Sequence, residues 1–377
     1  MKNIKSLVLT ALLIPTVTLF SGCGDDVVDD SLNDTTCTTI DGMRINSDTV
    51  FNKSCYKITD DIDISAKLTI NPGTVLKFTD DAYIYVGSNG ILDAVGTAQK
   101  PIKFTGVEHT KGYWRGIGFS GSNHTENELS HVVVEYAGGH GNCGNVDIDN
   151  SRIKISDTTF RYSDNEGFCI DNSSNLDRFT RVKSTANNLS AGSVKAKHLV
   201  AITNDSNLSG NHKNYLTVDG GSIERDSTWH PLNVPIFFNE DVQVESIATL
   251  TIEPGTVLHF GSGGYLESMG ILKAIGTPTN PIIFTGEEQT AGYWRGVLFY
   301  LSNHAENEIA YCDISYGGSE GNIHVGQASR ANIHDNNITN SDSYGVSIFS
   351  GVTNPINSDV ATSNTFSNNA RGDVYRQ

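Results

Sequence analysis

The sequence is poor in charge, and poorest in basic residues. Only 18% of its 377 residues are charged, against about 25% in a typical soluble domain. The 26 basic residues face 43 acidic ones, which gives a formal net charge of -17. No nucleic-acid partner is expected, because phosphate binding needs clustered lysine and arginine. An acidic polysaccharide would also be repelled unless a cation such as Ca²⁺ bridged it to the protein.

Long helical and long apolar segments are missing as well. No window has the apolar spacing of an amphipathic helix, which argues against a helical bundle or a coiled coil. The apolar stretch at residues 7–20 is too short to span a bilayer. Glycine is abundant instead, with 37 residues, and Val, Ile, Leu, Phe and Tyr recur throughout the chain. This composition is typical of short strands joined by many turns.

The N-terminus indicates export and lipid anchoring. Lys2 and Lys5 precede the apolar stretch, as in a signal peptide. The run Leu19-Phe20-Ser21-Gly22-Cys23 resembles a bacterial lipobox, although it has phenylalanine where the motif has leucine. The resemblance implies a signal peptide over residues 1–22 and acylation of Cys23, for example with palmitate. The alternative is an ordinary signal peptide whose cysteine pairs elsewhere.

Residues 23–37 are acidic and polar and have no apolar periodicity, so a flexible tether is expected there. Gly24, rather than aspartate, follows the cysteine. The lipobox resemblance then implies a place at the outer membrane of a bacterial cell envelope. Whether the protein faces the periplasm or the outside stays open.

Five cysteines remain after the lipobox. An oxidising envelope favours disulfides, and the candidates are Cys37, Cys55, Cys143 and Cys169, whose connectivity the sequence leaves open. Cys312 alternates with apolar residues on one face of a short strand. A buried free thiol is therefore predicted there, rather than a catalytic cysteine.

The strongest pattern is an internal repeat. Residues 68–78 read Leu-Thr-Ile-Asn-Pro-Gly-Thr-Val-Leu-Lys-Phe and return almost unchanged at residues 250–260. The run Gly-Tyr-Trp-Arg-Gly at residues 112–116 returns at residues 292–296. The repeat predicts two copies, which span residues 38–215 and 216–377.

Within each copy, short pieces alternate apolar and polar residues and break at Gly, Asn, Asp or Pro. Asn-Gly hairpins are rare, so parallel neighbours are predicted rather than antiparallel ones. The spacing of Ile333, Ile338 and Ile348 fits a solenoid unit of about 20 residues. At about 22 residues per turn, the chain would make ~15 turns and a rod of ~70 Å. Asparagine pairs such as Asn187-Asn188 and Asn336-Asn337 are expected to form ladders at the corners.

At this point the chain resembles the right-handed parallel β-helix, or pectin-lyase-like, superfamily. The resemblance rests on Leu-Thr-Ile-x-Pro-Gly-Thr-Val, Gly-Thr-x₃-Pro-Ile-x-Phe-Thr and Gly-Tyr-Trp-Arg-Gly, and it covers nearly all of the chain after Thr38. It implies an all-β fold, a single-stranded right-handed parallel β-helix with two tandem duplicated halves in one continuous rod. These motifs are specific for the fold and not for an activity.

Two strings resemble motifs of polygalacturonases, which share this fold. They are Gly-His-Gly around His140 and the run Arg152-Ile153-Lys154. Asp60-Asp61 and Asp80-Asp81 precede them, but no Asn-Thr-Asp does, and the two strings stand too close together. Chance similarity is therefore favoured. Asp60, Asp61 and Asp63 also lack the loop pattern of a calcium site.

A lyase would need a cationic base beside carboxylates that hold Ca²⁺. Asp147 and Asp149 share one strand face, while Lys195, Lys197 and His198 lie some turns away. Solvated corners of a polar rod are the favoured interpretation of these residues.

Aromatic and histidine residues in the repeat are expected to be structural. Trp114 and Trp294 are predicted to cover corners of the solenoid rather than to stack on sugars. His124 and His304, each followed by two glutamates, are predicted to form polar loops rather than paired metal sites.

The predicted function is an envelope-anchored, non-catalytic scaffold that binds glycan or surface-protein partners for adhesion or envelope organisation. The alternative is a polysaccharide lyase or glycoside hydrolase that acts on acidic polysaccharide, and a third class is a spacer with no ligand. The repeat keeps core and turn residues but no convergent set of ionisable ones, which favours the scaffold. No catalytic residue and no cofactor is predicted, with Ca²⁺ the one open candidate.

Overall fold

The chain winds into a parallel β-solenoid, seen in a computed structural model that describes residues 36–349 and 359–377. The predicted signal peptide, Cys23 and residues 23–35 of the predicted tether lie outside the described residues. Strands of two to six residues form five sheets, and the pairings between neighbouring strands are parallel. The predicted all-β, right-handed parallel β-helix is confirmed. Among the described residues no helix is long and apolar enough to cross a membrane.

A fourteen-stranded sheet, here called the long sheet, extends along the whole described solenoid. Its strands are β2 (Met43–Ile45), β5 (Ile62–Ile64), β8 (Tyr83–Val86), β11 (Gly116–Ser120), β14 (Gly144–Asp149), β17 (Glu166–Ile170), β20 (Ser193–Val194), β21 (Leu216–Val218), β24 (Ile236–Phe238), β27 (Val257–Phe260), β30 (Ile282–Gly286), β33 (Cys312–Ser315), β36 (Asn337–Thr339) and β38 (Thr365–Ser367).

Two sheets complete the turns of the first part of the chain. Sheet I contains β1 (Thr38–Ile40), β4 (Cys55–Ile58), β7 (Val75–Phe78), β10 (Ile102–Gly106), β13 (Val132–Glu135), β16 (Thr159–Arg161) and β19 (Lys183–Thr185). Sheet II contains β3 (Thr49–Phe51), β6 (Lys67–Ile70), β9 (Ile91–Val95), β12 (Glu128–Ser130), β15 (Arg152–Ser156) and β18 (Asn175–Thr180).

Two other sheets complete the turns of the second part. Sheet III contains β22 (Gly221–Ile223), β25 (Val242–Val244), β28 (Tyr265–Ser268), β31 (Gly296–Phe299), β34 (Gly321–Val325), β37 (Tyr344–Ile348) and β39 (Gly372–Arg376). Sheet IV contains β23 (Ser227–Trp229), β26 (Thr249–Ile252), β29 (Ile271–Ile275), β32 (Glu308–Ala310) and β35 (Asn332–His334).

The solenoid has fewer turns than the sequence predicts. Fourteen strands in the long sheet make 13 steps from turn to turn, or about 62 Å at about 4.8 Å per step. The expected ~15 turns is too high because some turns are much longer than ~22 residues. For example, β8 starts at Tyr83 and β11 at Gly116, 33 residues later, because the Gly-Tyr-Trp-Arg-Gly loop lies between them.

The two repeated tryptophans belong to the core. Trp114 is fully buried, with its ring 4.0 Å from that of Phe78, and its Nε1 donates to the carbonyl oxygen of Glu135 at 2.9 Å. Trp294 is equally buried and stacks on Phe260 at 4.3 Å. Because both indoles are enclosed, neither offers a face to a sugar, and their role is to fill the interior.

Polar ladders close the corners between strands. The Nδ2 of Asn187 donates to Oδ1 of Asn211 on the next turn at 2.9 Å, and its own Oδ1 accepts the N–H of Ser163 at 2.9 Å. Asn336 and Asn364 make the same contact at 2.9 Å. These side chains satisfy backbone groups at sharp turns, as the asparagine pairs in the sequence predict.

The five cysteines that the structure describes form two bonded pairs and one free thiol. Cys37 is bonded to Cys55, and Cys143 to Cys169, so each bond links successive turns. Cys312 is free and buried, and burial raises the pKa of its thiol. A protonated, enclosed thiol is a poor nucleophile.

A 3₁₀ helix, Ala196–Ala201, interrupts the regular turns. Sheets I and II end before it and sheets III and IV begin after it, so the long sheet alone crosses this junction, through β20 and β21. Segments that match in sequence change sheet across the junction. β7 lies in sheet I and its match β27 in the long sheet, while β8 lies in the long sheet and its match β28 in sheet III.

Candidate functional site

The outer surface of the long sheet carries a row of chemically varied residues in the first part of the chain. Tyr85, Gly118 and Asp147 are in register on β8, β11 and β14. Their strand neighbours Ile84 and Ile117 are buried in the core. Since alternate residues of a strand point to opposite faces, the row faces outward. We call the surface formed by Tyr83, Tyr85, Asp147, Asp149 and Asp171 the acidic patch.

The absence of a side chain at Gly118 allows the position that the Tyr83 ring takes. A Cβ atom at Gly118 would overlap the Tyr83 hydroxyl, so that ring occupies the space of the missing side chain. The guanidinium of Arg115 lies 4.4 Å from the ring centre. Burial, together with the negative charge of Asp147, raises the pKa of Tyr83 to about 12. Its hydroxyl is therefore a hydrogen-bond donor at neutral pH.

The pKa values of the carboxyl groups in the acidic patch are shifted in opposite directions. Burial and the charges of Asp149 and Asp171 raise the pKa of Asp147. A hydrogen bond with Asp171 raises the pKa of Asp149. Burial alone would raise the pKa of Asp171, but hydrogen bonds from Ser174 at 2.5 Å and from the N–H of Asn150 at 3.1 Å outweigh it and lower that pKa. As the pH rises, Asp171 therefore loses its proton before Asp149 does.

The basic residues proposed for a lyase are divided between two places. Cys169 is in register with Ser193, so Lys195 follows Asp171 on the next turn of the solenoid. The Nζ of Lys195 donates to the carbonyl oxygen of Asp219 and lies 3.9 Å from Glu240. The structure thus brings Asp147, Asp149 and Lys195 to one surface. The spacing of these residues in the sequence does not by itself predict this.

Lys197 and His198 lie on the 3₁₀ helix instead. His198 is buried, and burial lowers its pKa to about 4. Its Nδ1 accepts the N–H of Lys195 at 3.3 Å, and its Nε2 lies 3.1 Å from the carbonyl oxygen of Ser174. His198 is therefore a neutral structural residue that fixes the helix to the turn before it.

The strings that resemble polygalacturonase motifs do not form one site. His140 lies 3.4 Å from Asp80 and 3.6 Å from Asp81, close to the long sheet. Arg152 and Lys154 belong to sheet II, where Arg152 pairs with Asp177 at 3.4 Å and Lys154 lies 3.9 Å from a glutamate. The expectation of chance similarity fits this separation.

Candidate metal ligands are sparse. Asp63 pairs with Arg44 at 3.0 Å, and Asp61 lies 3.9 Å from Arg115. Within the described ranges, one set of three metal-ligating side chains converges, Cys143, Glu166 and Cys169. Its two sulfurs are bonded to each other, so they are not free thiolates. His124 and His304 are not part of that set.

The sequence did not single out Tyr83, Tyr85, Gly118, Arg115 or Asp171. A difference between the two sequence repeats could have identified them. Leu298 stands on β31 where Gly118 stands on β11, and His324 stands where Asp147 does. The matching surface on sheet III therefore lacks both the glycine over which a tyrosine ring can lie and the carboxylate of Asp147.

A cleft of ≈ 640 Å³ lies beside the 3₁₀ helix. One wall is β18 and the other is formed by β22, the start of β23 and the turn between them. No helix pattern marks this place in the sequence, since the helix has only six residues.

Comparisons with known proteins agree with this architecture. Residues 43–207 match a family model described as a pectate-lyase-like β-helix domain. Protein bark beetle of Drosophila melanogaster is 35% identical over 79 residues, which are 21% of this chain and 2% of that protein. No solved structure matches the chain. The family match over residues 43–207 and the continuous parallel solenoid together support a pectate-lyase-like parallel β-helix fold.

Proposed function

We propose that the protein is a scaffold, lipid-anchored through Cys23 at the outer membrane of a bacterial cell envelope, that binds glycan without cleaving it. The lipobox-like run before Cys23 supports the anchor. The fold supports the scaffold, because a solenoid offers a long rigid surface for an extended ligand.

The observation that carries glycan binding is the row on the long sheet. Tyr85 is 39% exposed and lies in register with Gly118 and Asp147, where the Tyr83 ring covers Gly118. An exposed aromatic ring can stack on the apolar face of a sugar, while carboxylates accept hydrogen bonds from its hydroxyls.

The charge of the acidic patch selects the kind of glycan. Asp147, Asp149 and Asp171 lie together, and Arg115 is the cation beside Tyr83. An excess of carboxylates repels uronic acids, unless Ca²⁺ bridges them. The glycan we propose is therefore uncharged.

Binding of uncharged oligosaccharides to the lipid-free protein by calorimetry tests this proposal. The variants Tyr85→Ala and Asp147→Asn are each expected to weaken binding about tenfold or more, because each removes a direct contact. Tyr375→Ala is the matched control, since Tyr375 is 40% exposed on sheet III. Equal affinity of the Tyr85→Ala variant and the parent would refute a glycan site on this row.

A second candidate function, cleavage of an acidic polysaccharide, is favoured by a different observation. Asp149 and Asp171 share a hydrogen bond and have opposite pKa shifts, and Lys195 lies on the next turn. Carboxyls with separated pKa values beside a cation are the components of general acid–base chemistry.

Size-exclusion chromatography of neutral and acidic polysaccharides after incubation with the protein, with and without Ca²⁺, separates the two functions. A shortened polymer, lost in Asp171→Asn and Lys195→Gln, would establish an enzyme. Intact polymer that co-elutes with the protein supports the scaffold.

A further inference from the structure

An amine, a carboxamide and a carboxylate meet at the surface of the first part of the chain. The Nζ of Lys111 donates to Oδ1 of Asn188 at 2.6 Å, although the two residues are 77 positions apart. The Nδ2 of the same amide donates to Oδ1 of Asp164 at 2.8 Å. These are the three groups that an exchange of one amide bond for another requires: a nucleophile, an acyl carbon and a group that moves a proton.

The hydrogen bond with Asp164 fixes the orientation of the Asn188 amide. A carboxylate only accepts hydrogen bonds, so the Nδ2 group faces Asp164 and Oδ1 is left for the amine of Lys111. The amide carbon is therefore next to the nucleophile, and the nitrogen that would leave is next to a carboxylate that can carry a proton to it.

The backbone on both sides of this contact is held in place. The N–H of Asn188 donates to the carbonyl oxygen of Ser163 at 3.0 Å. A Cβ atom at Gly112 would lie 2.9 Å from Cβ of Asp164, so the loop that carries Lys111 packs closely on the turn of that aspartate. Fixed positions raise the effective concentration of the amine at the amide.

Lys111 is not held as an ammonium ion by a carboxylate in direct contact. Among the ion pairs formed within residues 36–349 and 359–377, none includes this lysine. Burial lowers the pKa of Lys111, and the nearby charge of Asp164 offsets this effect in part. A larger share of neutral amine is thus present at Lys111 than at a fully exposed lysine.

The second part of the chain lacks the amine and the amide together. Ala291 stands at the position of Lys111, directly before the repeated Gly-Tyr-Trp-Arg-Gly run. Ala370 stands at the position of Asn188, because the N–H of each donates to the carbonyl oxygen of a matching serine. The carboxylate is kept there as Asp342. The acid is thus common to both parts, whereas the lysine and the asparagine occur only as a pair.

From these contacts we propose that Lys111 and Asn188 become joined by an isopeptide bond. The neutral Nζ of Lys111 attacks Cγ of Asn188. Asp164 takes a proton from Nζ and passes it to Nδ2, the bond between Cγ and Nδ2 breaks, and ammonia leaves. One amide bond replaces another, so no oxidant or reductant is needed, and the escape of ammonia into solvent favours the product.

The bond would fasten the loop after β10 to the turn after β19, three turns further along sheet I. Each disulfide of the protein links only successive turns. The isopeptide bond is thus a cross-link of longer reach on the same solenoid. It is separate from the acidic patch and does not depend on glycan binding there.

Mass spectrometry of the purified, lipid-free protein tests the proposal. The measured mass is expected to be lower, by one ammonia, than the mass that the sequence with its two disulfides gives. Trypsin does not cleave after an acylated lysine. Digestion should therefore release residues 104–115 joined to residues 184–195 as one cross-linked peptide.

Variants assign the role of each group. Lys111→Arg and Asn188→Ala should each have the full mass, because each removes one of the two reacting groups. Asp164→Asn should be recovered mostly with the full mass, because loss of the proton carrier slows the exchange by about 100-fold or more. Circular dichroism of each variant confirms that the solenoid remains folded.

Lys273→Arg is the matched control, since the Nζ of Lys273 contacts a carboxylate, that of Glu306, at 2.5 Å. This variant should keep the missing ammonia of the parent. The proposal is overturned if the parent has the full mass even after incubation at about pH 9, where more of the lysine is neutral. It is equally overturned if the missing ammonia persists in both Lys111→Arg and Asn188→Ala.

Discussion

Glu135 is a buried carboxylate that connects three turns of sheet I. It is 1% exposed and accepts from Lys103 at 2.8 Å, from Arg161 at 2.7 Å and from the hydroxyl of Thr105 at 2.8 Å. In the matching positions of the second part stand Ile283, Ser315 and Thr339. The first part therefore has charged side chains at these three positions, and the second part has uncharged ones.

Replacement of the single carboxylate should be strongly destabilising. In Glu135→Ala, two cations on neighbouring turns lose their counter-charge, and we expect the free energy of unfolding to fall by about 3–5 kcal/mol. The triple variant Lys103→Ile, Glu135→Ser, Arg161→Thr copies the second part and should stay within about 1–2 kcal/mol of the parent. Urea denaturation followed by circular dichroism measures both. Equal losses for the single and triple variants would contradict the argument.

The sequence predicts the role of a residue that acts at its own turn better than it predicts a contact between residues far apart in the chain. Asn187 and Asn336 form ladders as expected, because their role depends on the turn that they occupy. Glu135 and Lys103 are 32 residues apart, and their contact depends on the length of every loop between them. Gly118 is similar, since its importance comes from the Tyr83 ring on the turn before it.

At the scale of one element, the 3₁₀ helix depends on a neutral histidine. Burial lowers the pKa of His198 from 6.5 to about 4. A group with a lower pKa in the folded state contributes stability above its unfolded pKa and loses it as the pH falls toward the folded one. The loss therefore occurs between pH 6.5 and about 4.

His198→Gln should make the free energy of unfolding depend less on pH in this interval. A gap of about 2.5 pKa units corresponds to about 3 kcal/mol, which the parent loses over that pH interval and the variant retains. Urea midpoints at several pH values measure the difference. His230→Gln is the control, because His230 is partly exposed and pairs with Glu253 at 2.8 Å. If the stability of the parent and of His198→Gln depended on pH in the same way, this histidine would not be the cause of the loss of stability at acidic pH.

At the scale of the whole molecule, the junction is a short interface between turns of the long sheet. β20 has two residues, and across it only Ser193 and Val194 pair with the next turn of the long sheet. In a solenoid each turn is stabilised by its neighbours, so a weak interface lowers the coupling between the parts that it joins. The repeat predicted two parts, but not that a short helix and a cleft would separate them.

The two parts should therefore unfold at different urea concentrations. Trp114 reports on the first part, and Trp229 and Trp294 report on the second. We expect the fluorescence transition of the Trp114→Phe variant to differ from that of the Trp229→Phe, Trp294→Phe double variant. Circular dichroism of each variant supplies the common reference. Coincident transitions in all three measurements would mean that the rod unfolds as one cooperative unit.

The change of sheet at the junction also determines what the rod can connect. β8 and β28 match in sequence, yet one lies on the long sheet and the other on sheet III. Segments that match in sequence thus face outward from different sheets of the solenoid. A flat partner that touches one of them turns the other away from itself. One flat surface therefore cannot contact both segments at the same time.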